Sequence, residues 1–150
     1  MSTAVDTEQV YAVAAAVFAA MIDGDEGLLT PWYGDLPLVE EPLSAWVDLH
    51  GELPGRAALV CEAATAHDLT RALLMMEADE EVDDQDLVDA FGEIANVVGG
   101  NVKSLLPVQD TLGLPEVAHG HPPAAEGHVA QELRLSWRGQ LIVVTIWLVG

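Results

Sequence analysis

Basic side chains are nearly missing from this sequence: 5 Lys and Arg stand against 25 Asp and Glu, a formal net charge of -20 over 150 residues. So few cations cannot neutralise a row of phosphates, which excludes nucleic acid and anionic membrane surfaces as partners. Arg56, Arg71, Lys103, Arg134 and Arg138 are also dispersed along the chain. Cysteine is reduced to Cys61, and one thiol makes neither an intramolecular disulfide nor a cysteine-based zinc cluster. Its expected place is a small apolar position in the core. Long apolar runs are lacking as well. Residues 141–149 are about half the ~20 needed for a membrane helix, and no Lys or Arg precedes Asp6 as a signal or transit peptide requires. A soluble, cytoplasmic protein is expected. Disorder is not, because 51% of the residues are hydrophobic, enough for one domain with a full core.

In residues 7–22, Val10, Val13, Val17 and Met21 recur at helical spacing with alanines between them. This predicts a helix apolar nearly all round, buried or paired. Gly24, Gly27, Gly34, Pro31, Pro37 and Pro42 mark residues 23–42 as a connection with at most a short edge strand. Leu43, Ala45, Val47 and Leu49 then alternate with Ser44, Trp46, Asp48 and His50. With a turn over 51–55 and a second strand over 56–62, they form a predicted hairpin. Thr65 and Asp68 have the spacing of a capping box, opening a short helix on Leu69, Leu73 and Met76. The acids of 77–86 read as a solvated run that places negative charge at the N-terminus of the next helix. That helix is predicted over 86–106, stopping before Pro107.

A short strand is expected over 113–118 and a Pro/Gly loop over 119–128. In the last hairpin, Val129, Leu133, Leu135 and Trp137 alternate with polar residues, Arg138 and Gly139 supply the turn, and 141–149 return. The order helix, hairpin, helix, helix, hairpin predicts a single α+β domain, with helices packed on a mostly antiparallel sheet.

Most familiar chemistries find no support. His119, His121 and His128 are close enough in sequence to meet at a metal, but a Pro/Gly loop gives them no fixed spacing, and solvated loop histidines are the competing reading. No Gly-x-Ser-x-Gly elbow is present, Gly99-Gly100 does not continue as a nucleotide-binding loop, and the acidic run lacks the ligand spacing of a calcium loop.

The helix over 86–106 differs. At 100° per residue, Leu87, Phe91, Ile94, Val98, Val102 and Leu105 share one stripe that must face the core. Asp89, Glu93, Asn96, Gly100 and Lys103 fall on the opposite face, with Glu93 and Asn96 projecting together because they are three residues apart. Gly92, Gly99 and Gly100 interrupt this helix although each costs about 1 kcal/mol relative to alanine. Close approach, by a packed neighbour or by a partner on the exposed face, is one reason to keep them. Taken alone, the residues leave this face open between plain solvation and a site.

The pattern Asp89-x-x-x-Glu93-x-x-Asn96, within DAFGEIANVVGGNVKSLLP, closely resembles the signature of the CheC/CheX family of chemotaxis phosphatases, and CheX-like domains in particular. The surrounding order also resembles the family: VDLHGELPGRAALVCE, a helix, an acidic linker, the signature helix and then LGLPEVAHG. The resemblance runs from about residue 43 to the end, leaving 1–42 as an N-terminal helix and connecting segment before a core of 43–150. It implies a CheX-like fold and dephosphorylation of a phospho-aspartyl response regulator of the CheY type. Asn96 would orient the attacking water and Glu93 would contact a lysine of the regulator, with Asp89 and Gly100 supporting the docking. No cofactor is implied on this chain, since the Mg2+ would belong to the regulator. Some family members carry the signature twice, but Asn96 and Asn101 are the only asparagines here, so one active face per chain is implied, as is a homodimer formed through the sheets. The competing function is a non-catalytic module that docks a regulator or another signalling protein on the same helix face.

Overall fold

The hairpin of β2 (Pro42–His50) and β3 (Gly55–Glu62) is the centre from which the structure is built. The structure is a computed structural model describing residues 6–24, 28–106, 110–123 and 127–149. In β2, Leu43, Ala45, Val47 and Leu49 point to one side and are buried. Ala57, Leu59 and Cys61 of β3 join them from across the ladder, as the alternating pattern requires. The second hairpin, β6 (His128–Trp137) and β7 (Gln140–Leu148), adds Leu133, Leu135, Trp137, Ile142, Val144, Ile146 and Leu148 to the same layer.

With β1 (Leu29–Pro31), β4 (Thr111–Leu112) and β5 (Glu116–His119), these strands make a seven-stranded sheet whose neighbours all run antiparallel. Its order is β1-β6-β7-β3-β2-β4, and β5 shares the outer edge of β2 with β4. The helices α1 (Thr7–Phe18), α2 (Ala63–Leu73) and α3 (Asp84–Lys103) contribute to the core on one side of it. The architecture is therefore the single α+β domain expected.

Details depart from the sequence reading where packing or local bonding overrides periodicity. In α1 the fully buried residues are Val10, Ala14, Val17 and Phe18, with Val13 and Met21 only partly buried. The helix continues as one π-helical turn, Ala19–Asp23, and Gly24 ends it at φ 72°, where glycine carries no Cβ penalty. The capping box at Thr65 and Asp68 does not form. α2 begins two residues before Thr65, which is buried, and Asp68 instead pairs with Arg71. Met76 falls beyond the helix, which is closed by Met75 in the left-handed region at φ 58°. The alternation in β6 fails at Val129, which is 48% exposed. A bulge between Val129 and Gln131 shifts the register there and removes Val129 from the parity of Leu133.

Cys61 occupies the core as expected. Burial, aided by the neighbouring Glu62 charge, pushes its thiol up to about 12, which leaves it neutral and unreactive. No helix among the described residues is long and apolar enough to cross a membrane.

Candidate functional site

α3 starts two residues earlier and ends three residues sooner than its periodicity suggests, and its own end groups explain the start. The Asp83 carboxylate accepts the amide of Asp86 at 2.8 Å as an N-cap, with Asp84 and Asp86 in the first turn and Lys103 in the last. Each charge thus complements the helix dipole. Residues 104–106 tighten into turns, Leu105 and Leu106 donating to the carbonyls of Val102 and Lys103. Pro107, expected as the stop, lies outside the described residues.

Leu87, Phe91, Ile94, Val98 and Val102 are buried, and Leu105 is half-buried against the same core. Because these residues fix the rotation of α3, the opposite face is forced outward. Asp89 and Glu93 are exposed there, while Asn96, Gly100 and Lys103 are half-buried. The structure therefore brings the four predicted site residues onto one face.

Hydrogen bonding separates the polar side chains of this helix. Asp89 accepts from Gln85 Nε2 at 2.8 Å, and Asn101 donates from Nδ2 to the carbonyl of Val97 at 2.8 Å. Among the described residues, Glu93 and Asn96 have no hydrogen-bond or ion-pair partner for their side chains. An amide held on a rigid helix with its N–H2 and carbonyl both open can accept from one group while donating to another. Glu93, one turn away, offers a fixed negative charge beside it.

The glycines prove to have different neighbours. A Cβ at Gly99 would overlap the Val47 side chain of β2, so this residue lets the helix sit deep on the sheet. Gly92, also buried, lies against Pro115 and Val117, whereas a Cβ at Gly100 would meet only Leu112, at 3.8 Å. The sequence pattern predicts one strand over 113–118. The chain instead makes two short strands, β4 and β5, parted by Gly113, Leu114 and Pro115. Proline, which lacks the ladder donor, marks that gap.

The three histidines do not share a loop as expected. His119 ends β5 and His128 begins β6, with His121 between them. Among the described residues there is no group of three or more His, Cys, Asp or Glu side chains arranged to hold a metal.

Comparison with known proteins gives the family and the fold. The family model described as "Chemotaxis phosphatase CheX" matches residues 43–133. This chain belongs to the CheX family. Among curated proteins none matches it. Its fold is similar to that of the chemotaxis protein CheX from Vibrio vulnificus, with 18% sequence identity, coverage of 99% of each chain and a TM-score of 0.74. It is also similar to CheX in the CheX-CheY-BeF3-Mg complex from Borrelia burgdorferi, at 18% identity, 95% and 97% coverage and a TM-score of 0.72. A CheC-like superfamily protein from Shewanella sp. PV-4 aligns at 21% identity over 95% and 96% of the two chains, with a TM-score of 0.72. The matched segment contains all of α3, so Asp89, Glu93, Asn96 and Gly100 lie within the CheX region.

Proposed function

We propose that this chain accelerates hydrolysis of the phospho-aspartate of a CheY-type response regulator, with Asn96 and Glu93 as the working residues. The observation that carries this reading is the Asn96 amide, unpaired among the described residues and held half-buried on the outer face of α3, inside the segment that matches the CheX family. The fold shared with a CheX that was solved in complex with CheY supports the choice of partner.

In this mechanism the Asn96 side chain enters the regulator's site. Its carbonyl oxygen accepts a hydrogen bond from water and its N–H2 donates toward a phosphoryl oxygen. The water oxygen forms a bond to phosphorus in line with the breaking bond to the aspartate oxygen. The aspartate leaves as carboxylate, phosphate departs carrying one of the water's two hydrogens, and the other is released to solvent as a proton. Positioning and electrostatics supply most of the rate in such a transfer, so a nucleophile on this chain is unnecessary. The Mg2+ that phosphoryl chemistry uses belongs, in this reading, to the regulator. Glu93 pairs with a regulator lysine and fixes the depth and angle at which Asn96 arrives, while Asp89 and Gly100 shape the docking face around it.

The test is the decay of a phosphorylated CheY-type regulator with and without the chain. Wild type should accelerate phosphate loss, and Asn96→Ala should remove that acceleration while melting as wild type does. Equal rates for the two proteins would overturn the assignment. Binding with unchanged decay would instead identify a docking module.

A further inference from the structure

Leu114 is 87% exposed, although a leucine so placed leaves nearly all its apolar surface in water. Its position relative to α3 follows from the residues on either side. Leu112 lies beside Gly99 and Gly100, and Pro115 lies beside Gly92. From position 92 to 99 the helix rises about 10 Å at 1.5 Å per residue. From position 112 to 115 an extended chain covers about the same distance. The segment therefore runs alongside the helix in the opposite direction, and Leu114 falls within about one turn of Asn96.

The segment is also pinned. The Gly113 amide donates to the carbonyl of Asp48 at 2.8 Å, and a side chain at Gly113 would press on the His50 ring. Val88, 44% exposed and four residues before Gly92, extends the apolar margin along α3. Asn96 thus stands between an acidic row, Asp89 and Glu93, and an apolar margin formed by Val88, Leu114 and Pro115.

We infer that Leu114 is a docking anchor for the phosphorylated regulator, burying its side chain in an apolar depression of that partner as Asn96 enters the site. The inference rests on the function proposed above and names a second, chemically different half of the same interface. Charge argues for it. A chain of net charge -20 gains nothing electrostatically from a phosphoryl group or from acidic residues around it, so on the proposed function the charge attraction at this face is confined to the lysine opposite Glu93. An apolar anchor supplies attraction that the anions do not, and that added salt does not screen.

The experiment measures phosphate release from CheY-type regulators charged with acetyl phosphate, using the one that wild type dephosphorylates fastest, as a function of regulator concentration. Leu114→Ser should raise KM about tenfold, the factor expected for losing one buried leucine contact, with kcat within twofold of wild type. Leu114→Met should restore KM. Both variants should melt as wild type does, since the side chain is exposed. If Leu114→Ser leaves KM within twofold, or lowers kcat alone, while Asn96→Ala abolishes turnover, the anchor is wrong and the phosphatase reading stands. If Asn96→Ala matches wild type, or no regulator is dephosphorylated, that reading falls and this one with it.

Discussion

Asp110 is 3% exposed, and its two carboxylate oxygens accept the amides of Glu52 and Leu53 at 2.8 and 3.0 Å, closing the turn between β2 and β3. Glu93 carries the same group on the outer face of α3, exposed and without a partner among the described residues. The two asparagines divide in the same way. Asn101 donates to its own helix, whereas Asn96, five residues earlier, donates to nothing described. In a chain with 25 acids, an acidic side chain is uninformative by itself. The distinction lies in whether its hydrogen-bonding capacity is used inside the fold or left open at a rigid surface.

Substitutions can test each arm of this comparison. The largest effect belongs to Asn96→Ala, which should cost about 100-fold in regulator dephosphorylation with no change in melting temperature, read from phosphate decay and a thermal scan. Asp110→Ala should do the reverse, lowering stability by about 2 kcal/mol because two turn amides lose their acceptor. Chemical denaturation reads that loss, and kcat of the folded protein should remain near wild type. Glu93→Gln should raise KM severalfold at low salt, and the difference should shrink as salt is added. A salt-independent defect would contradict the pairing with a cation. Asn101→Ala is expected to be the smallest, within about 0.5 kcal/mol in stability and neutral in turnover. A loss of activity at Asn101 comparable to that at Asn96 would erase the contrast between the two amides.

The signature helix was the most legible part of the sequence, because its apolar period runs through 20 residues and fixes which side chains face out. The hairpins were legible for the same reason in their own period. Asp110 was not, since its partners lie 57 and 58 residues away and nothing local distinguishes it from a solvated acid. Thr65 misled because the polypeptide turns from β3 directly into α2 at Glu62, whose carboxylate is occupied by the amides of Glu40 and Glu41. Val129 misled because one extra residue in a strand reverses every side chain before it. Leu114 was hidden inside a segment read as strand. The signal available was the proline after it, which interrupts pairing and leaves that leucine outside the sheet.

The glycine at 99 sets the height of the helix above the sheet, and so the reach of everything mounted on its far side. Adding a methyl group there would overlap the Val47 side chain, and where the helix is the part that yields it moves outward. Asn96 would then stand proud of the loop that carries Leu114. On the proposed function, the two would then no longer meet the regulator's surface at the same moment, and the depth at which the amide arrives would be altered without any change to the amide itself.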